Sequence, residues 1–493
     1  MKNQVQLITY VDRIGGETIA DLHRLLQGPL KDMFGGVHLL PFYDPIDGED
    51  AGFDPVDHTK VDHRLGTWED VRALGTTHDV MADVIVNHMS ALSTEFQDYL
   101  QKGQASVHAD LFLTFSKIFP QGASEEDLLA IYRPRPGFPF TKMRFAQEGA
   151  RLVWTTFTAN QIDIDVTAAQ GKAYLDRILK KLQDAGVKMI RLDAAGYALK
   201  KAGTSCFMLP ETFEFIDHFT QKAKKMGMSV LVEVHSFYKT QVQIAEKVDY
   251  VYDFALPVLV LDTLFNRNAR NLKHWLQIGP RNCITVLDTH DGIGIVDVAS
   301  ENGVPGLIDD DALDAIVGKI HENSGGNSKK ATGAAASNLD LYQVNCTYFE
   351  ALGRNGRNYL LARAIQFFVP GLPQVYYVGL FAGENDMQLL QRTGVGRDIN
   401  RHYFSKEEVR EKTGELLFRA MAELMRLRNR HPAFNGDFEL VPSRDTVLEL
   451  RWSLASDAIG LHVDLEEGSF NISGTGPELD QLEDFHRFLG QEA

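Results

Sequence analysis

Residues 171–192 read GKAYLDRILKKLQDAGVKMIRL: a helix, a stop and a strand in immediate succession. Tyr174, Leu175, Ile178, Leu179 and Leu182 recur at helical spacing and fall on one face of Gly171–Ala185. Gly186 stands where a helix C-cap needs a left-handed residue. Val187–Leu192 is then an apolar run of the kind buried on both faces in a parallel sheet. The same alternation recurs along the chain. β-rich runs lie at Leu7–Val11, Val37–Phe42, Val80–Val86, Val187–Leu192, Ser229–Val234, Tyr250–Leu256, Cys283–Leu287 and Gln374–Val378, with amphipathic helices between them. Eight such units predict an α/β fold, a (β/α)8 TIM barrel. A doubly wound open sheet is the alternative, and the strand number favours the barrel.

Two spacings exceed a simple strand–helix repeat. The first, after the third strand, leaves residues 89–167 as an inserted domain; the second, after the seventh, leaves 292–356. The expected barrel is therefore 1–88 plus 168–291 plus 357–435. The second insertion runs through Gly325-Gly326-Asn327-Ser328-Lys329-Lys330 to Ala334-Ala335-Ala336-Ser337, small and polar residues that predict a mobile loop. It lacks the Gly-Lys-Ser/Thr spacing of a phosphate-binding loop. A helix from about 414 to 430 ends before Pro432. Alternating strands at Phe438–Val441, Val447–Trp452, Ile459–Val463 and Ser469–Ile472, with a helical tail at Leu479–Leu489, predict a small β domain over 436–493.

The chain has 493 residues, 44% of them apolar, enough to build cores and to exclude a mainly disordered state. Lys and Arg number 50 against 67 Asp and Glu, a net charge of −17. That balance argues against nucleic acid and against anionic membranes as partners, since both need a basic face. Cys206, Cys283 and Cys346 are odd in number and far apart, so neither a disulfide framework nor a zinc site is expected. Met1–Gln6 lacks the apolar core of a signal peptide, and no apolar run is long enough to span a bilayer. A cytoplasmic protein is expected, and a homodimer is an allowed assembly.

Barrel enzymes carry their chemistry at the C-terminal ends of strands. There the sequence has Asp83, Asn87 and His88; Arg191 and Asp193; Glu233 and His235; and Asp288, His290 and Asp291. Any one of these carboxylates could be a helix N-cap. Three together, on strands four, five and seven, are costly to bury for structure alone. Asp83 reads differently, as a structural acid bracing the loop that holds His88. Two carboxyls facing each other across a sugar ring are the equipment of a retaining glycosidase. A metal site is the rival reading, but no HExxH or His-x-His pairing supports it, and no metal or organic cofactor is expected.

Asp83-Val84-Ile85-Val86-Asn87-His88, Arg191-Leu192-Asp193-Ala194, Glu233 and His290-Asp291 resemble the four conserved regions of the α-amylase family of glycoside hydrolases, in the family's order. The resemblance implies Asp193 as nucleophile, Glu233 as general acid/base and Asp291 as transition-state stabiliser. It implies that His88, Arg191 and His290 hold the glucosyl unit. The insertion at 89–167 then matches the family's B domain, the second insertion at 292–356 is a B′ segment, and the β tail at 436–493 matches its C domain. The similarity extends to Tyr10-Val11-Asp12, Leu40-Pro41-Phe42-Tyr43, Gly52–His58 and Gly396–His402. It points to the branch that splits sucrose with inorganic phosphate, giving α-D-glucose 1-phosphate and D-fructose and transferring glucosyl units to other acceptors. Asp50 and Arg397 would then close the glucose subsite as a buried bidentate pair, with Phe53 stacked on the sugar. Arg135, in Tyr132-Arg133-Pro134-Arg135-Pro136, would meet phosphate. Asp340, Leu341, Tyr342 and Gln343 would form an acceptor loop with two poses, one presenting Asp340 and Gln343 to fructose, the other admitting phosphate beside Tyr342. Phe157, Gln161, Tyr197 and His235 would complete that side. Relatives acting on sucrose 6′-phosphate, glucosylglycerol or glucosylglycerate, and a hydrolase or transglucosidase using the same residues, are the alternatives. Pro134 and Leu341-Tyr342 favour the sucrose form.

Overall fold

The computed structural model describes residues 1–134, 137–335 and 343–491. Eight parallel strands close into a barrel: β1 (Gln6–Thr9), β2 (Gly36–Leu39), β3 (Asp79–Ile85), β4 (Met189–Asp193), β5 (Ser229–Val232), β6 (Tyr250–Asp253), β7 (Cys283–Thr285) and β8 (Leu372–Tyr376). Each pairs with its neighbours in sequence, and β1 closes on β8 through Gln6–Gln374, Leu7–Val375 and Ile8–Tyr376. All eight fall within the runs read from sequence or extend them by one or two residues at an end.

The interior is layered because side chains on a strand alternate with period two. Met81, Met189, Leu231, Tyr252, Ile284 and Leu372, from six strands, pack into one apolar plug. Two residues further along β3 and β4 stand Asp83 and Arg191, which are register partners, just as Met81 and Met189 are. Asp193 lies two beyond Arg191, and Glu233 two beyond Leu231. A charged layer therefore rests on an apolar one, at the strands' C-terminal ends.

Between β3 and the helix Ala169–Asp184 the chain leaves the barrel. It forms the hairpin Phe140–Phe145/Gly149–Trp154, and a short strand Gln161–Asp163 that pairs antiparallel with His88–Ser90. That second pairing ties the inserted segment to the end of β3. Buried Lys200 adds a further tie. Its ammonium donates to Asn87 Oδ1 at 2.8 Å and to the Tyr197 carbonyl, and pairs with Asp163 Oδ2 at 2.8 Å.

The segment after β7 departs from the expected mobile loop. Asp310–Asn323 and Asn327–Ala335 are helices, joined through a Ser324–Ser328 hydroxyl contact of 2.7 Å, and Ala331 is buried. Ala and Lys are strong helix formers, so small residues here build a helix as well as they would a linker. Residues 336–342 lie outside the described structure. At the far end β9 (Asp437–Leu440), β10 (Val447–Leu454), β11 (Asp457–Asp464) and β12 (Ser469–Gly474) form an antiparallel sheet. It docks on the barrel through Trp452, whose indole donates to the Phe368 carbonyl at 2.7 Å.

Arg363, fully buried on the helix Gly356–Phe368, holds the chain just after β7. It donates to both oxygens of Asp288 at 2.8 and 2.9 Å, and to Gln366 at 2.9 Å. Removing one partner of a buried pair strands the other's charge. Arg363→Met should therefore lower stability by about 3–5 kcal/mol, read as a fall in the urea midpoint. An unchanged midpoint would show that Asp288 is held otherwise.

Candidate active site

The charged layer is organised by Arg191. Its guanidinium is buried and donates to Asp83 Oδ1 at 2.5 Å and Asp193 Oδ1 at 3.0 Å, with Glu233 Oε2 at 3.8 Å. Asp83 takes a second bond from His38 Nε2 at 3.0 Å. Asp83 thus braces Arg191, not the His88 loop, because register on β3 and β4 sets the two side by side. Burial alone would push Asp83 up, yet His38 and Arg191 draw it down to about 2. Burial also pushes Asp193 up, and the charges of Glu233, Asp83 and Asp291 add to that rise, so Arg191 does not hold it at ordinary acidity. Directly after Asp193 the chain turns at Ala194 in the left-handed region, φ 55°.

Asp193, Glu233, Asp291, Asp50, Phe53, His88, Phe157, Gln161, Tyr197, His235, His290 and Arg397 all line one pocket, together with Pro134. Its empty volume is about 650 Å³, open mouth included, a size suited to a small ligand. Arg191 lies beneath it. Gln161 Oε1 and His290 Nδ1 are buried without hydrogen-bond partners among the described residues. A ligand rich in hydroxyls supplies what such atoms lack.

The walls differ in detail from the expectation. Phe53 stacks flat on His290, ring centres 4.9 Å apart and planes 8° apart, so one of its faces is already used. His88 Nε2 donates to the Phe53 carbonyl at 2.9 Å, and Gln161 Nε2 reaches the same oxygen at 3.3 Å. Burial lowers His290 to about 3, against the pull of Asp291, and it also lowers His88. Asp50 and Arg397 meet at 3.3 Å but do not form a buried bidentate pair. Arg397 lies closer to Asp291, at 2.8 Å, and the second oxygen of Asp50 goes to Arg401 at 3.2 Å. Both Asp50 and Arg397 keep about a fifth of their side-chain surface exposed. Asp50 and Ala51 are left-handed (φ 50° and 56°), a strained turn held by these two arginines. Against burial, Arg397, His290, His235 and Arg401 hold the Asp291 carboxyl well below its usual range.

Arg135, Asp340, Leu341 and Tyr342 lie outside the described residues. Gln343 is described, and its amide donates to His235 Nε2 at 3.0 Å. Three side chains built into the site were passed over in the sequence reading. Arg401 stands inside a quoted motif but carried no role there; Lys200 has no signal in sequence alone. Asp297 did have one, as the single charge in Ile293-Gly294-Ile295-Val296-Asp297-Val298. Oxygen and nitrogen atoms of Glu233, His235 and Asp291 converge within 4.8 Å of one another, the one such trio among the described residues. Arg397 already supplies a cation to Asp291 there.

A (β/α)8 barrel with an acid-lined pocket at the C-terminal ends of its strands has the architecture of a barrel enzyme. Residues 30–290 match the alpha amylase catalytic domain, and the chain belongs to the α-amylase family. It is 57% identical over 477 residues to sucrose phosphorylase of Agrobacterium vitis, covering 97% of this chain and 98% of that one. It is 52% identical to sucrose phosphorylase of Bifidobacterium adolescentis, covering 92% and 90%. The crystal structure of sucrose 6F-phosphate phosphorylase from Thermoanaerobacter thermosaccharolyticum superposes with a TM-score of 0.89 at 37% identity, over 97% of this chain and 96% of that one.

Asp83 gives this site a pH signature. Its carboxyl is depressed to about 2 from an ordinary value near 4, so it stabilises the fold above about pH 4 and loses that contribution as pH falls toward 2. Asp83→Asn should cost about 3–5 kcal/mol, because the buried Arg191 guanidinium loses its nearest counter-charge. It should flatten the acid limb of the stability–pH curve and cut turnover at least tenfold. Full activity in that variant would show that Arg191 needs no brace.

Proposed function

We propose that this protein is a retaining glucoside phosphorylase acting on sucrose, converting sucrose and inorganic phosphate reversibly to α-D-glucose 1-phosphate and D-fructose. What carries the reading is the gathering of Asp193 and Glu233 around one buried guanidinium, in a pocket that Asp50 and Arg397 also line. The near full-length identity to two sucrose phosphorylases supports the donor and the acceptor.

In the first step the Asp193 carboxylate attacks the anomeric carbon and the bond to the fructosyl oxygen breaks. Glu233 gives its proton to that oxygen, and fructose leaves. The intermediate is a β-glucosyl ester of Asp193. In the second step a phosphate oxygen attacks the same carbon, the ester bond breaks, and Glu233 recovers a proton from the attacking phosphate. Two inversions give net retention, and water or another sugar in place of phosphate gives hydrolysis or transglucosylation. Asp291 faces the positive charge that develops on the sugar ring and lowers its energy. Asp50, Arg397 and Arg401 bar a second sugar unit beyond the first. His88, His290 and Arg191 bind the glucosyl hydroxyls and orient the nucleophile. Arg135 and the 340–343 segment belong to the acceptor side. No described helix is long and apolar enough to cross a membrane. The three cysteines, buried and unpaired, fit a reducing cytoplasm.

The deciding experiment is product analysis after incubation with sucrose, with and without phosphate. Phosphate should divert most glucosyl units from free glucose to glucose 1-phosphate; equal glucose release in both would make the protein a hydrolase or transferase. Intact sucrose in both would move the donor to a phosphorylated or glycerol-linked relative. Asp193→Asn should abolish turnover while sucrose binding persists. Glu233→Gln should slow cleavage by about 10²–10⁴-fold. Retained turnover in either overturns its assignment.

A further inference from the structure

Asp297 lies outside the pocket lining, yet its carboxylate holds the segment 235–241, from which His235 lines the pocket. It is fully buried. Its Oδ2 accepts from His235 Nδ1 at 2.8 Å, and its Oδ1 from Gln241 Nε2 at 2.6 Å and from the Ser236 backbone N–H at 3.2 Å. A buried carboxylate is tolerated where such bonds fill it. Gly294 closes over this contact. A Cβ at that position would stand 2.2 Å from Asp297 Oδ2 and 3.0 Å from His235 Nδ1.

The His235 ring is fixed in two ways. It stacks on Phe254, ring centres 3.8 Å apart and planes 11° apart, and its Nδ1 is committed to Asp297. That leaves Nε2 directed at the Gln343 amide at 3.0 Å, with Glu233 Oε1 4.0 Å away. Gln343 Oε1 in turn accepts from the backbone N–H of Gly292 at 3.3 Å, next to Asp291. One chain of hydrogen bonds thus runs from a carboxylate outside the pocket to the backbone beside Asp291.

We propose that Asp297 is a positioning residue for the acceptor side of the pocket, which sets the orientation of the Gln343 amide through His235. The proposal rests on the phosphorylase reading above and adds to it a residue that touches no substrate. The direction of the amide depends on the ring proton. A neutral ring accepts at Nε2 from the Gln343 amino group, which leaves Oε1 for Gly292. A doubly protonated ring donates at Nε2, takes Oε1 for itself, and releases Gly292. Among the described residues, the charged groups facing the ring are Asp297, Glu233 and Asp291, the last paired with Arg397; Phe254, Gln343 and Gly294 are neutral. Burial opposes a charged ring, but the carboxylates, Asp297 foremost, outweigh it and raise His235 above its ordinary range. The amide therefore follows the protonation of the ring, and Asp297 shifts where that occurs.

The test is the partition of the glucosyl intermediate: the ratio of glucose 1-phosphate to free glucose formed from sucrose at fixed phosphate, followed across pH 5–8. In Asp297→Asn the carboxamide fills the same space without the charge. The ratio should fall at least tenfold, and its pH midpoint should drop by about one unit. Gly294→Ala presses on the same contact and should also lower the ratio. Phosphorolysis and hydrolysis falling in equal proportion, with an unmoved midpoint, would overturn the proposal and leave Asp297 a merely structural acid. If wild type makes no glucose 1-phosphate, the phosphorylase reading fails. Asp297 is then judged by the imidazole nitrogen signals of His235, assigned by their loss in His235→Gln. A titration midpoint lower by about one unit in Asp297→Asn supports the positioning role, and an unchanged midpoint overturns it.

Discussion

The Arg191 guanidinium, buried on β4 between Asp83 and Asp193, is the contact on which the rest of the site depends. A lone cation there would be prohibitively costly, and so would a lone carboxylate. Together they form a charged layer that rests on the apolar plug of Met81, Met189 and Leu231. Strand alternation makes the arrangement obligatory. Once Met189 faces inward, Arg191 and Asp193 do too, and parallel register puts Asp83 beside Arg191. Barrel closure and site assembly are one packing problem, since a slip of one residue on β4 would turn all three outward.

This is why so much was legible in the sequence. Buried strands read as apolar runs, and the polar residues that interrupt their ends stand out because burial makes them expensive. Asp193, Glu233, His290 and Asp291 were visible in that way. What escaped notice is set by distance along the chain. The hold on Asp50 needs both Arg397 and Arg401, about 350 residues away, and the sequence reading had Arg397 alone. The tie from Lys200 to Asn87 and Asp163 joins three separate segments. The Ala-rich stretch 327–335 misled for a different reason. Its composition suits a linker or a helix equally, and packing of Ala331 decides.

The chain carries a net charge of −17, and its pocket gathers carboxylates, yet the proposed second substrate is an anion. Local compensation resolves this. Two buried carboxylates beside the pocket have a cation placed against them: Asp83 has Arg191 and Asp291 has Arg397. An incoming phosphate meets these cations at short range, where they are poorly screened, and meets the remaining surface charge across water.

The compensation is uneven, and the unevenness matches the proposed division of labour. Asp291 sits 2.8 Å from Arg397 and is held firmly ionised, as suits a group whose charge must persist through both steps. Asp193 shares Arg191 with Asp83 and is held less firmly, as suits a nucleophile whose charge is spent on forming a bond and then restored. Glu233 has the longest contacts of the three, 3.8 Å to Arg191 and 4.0 Å to His235. Among the described residues no cation comes within hydrogen-bond distance of it. A group that alternates between acid and carboxylate within one turnover is best placed where no cation grips it.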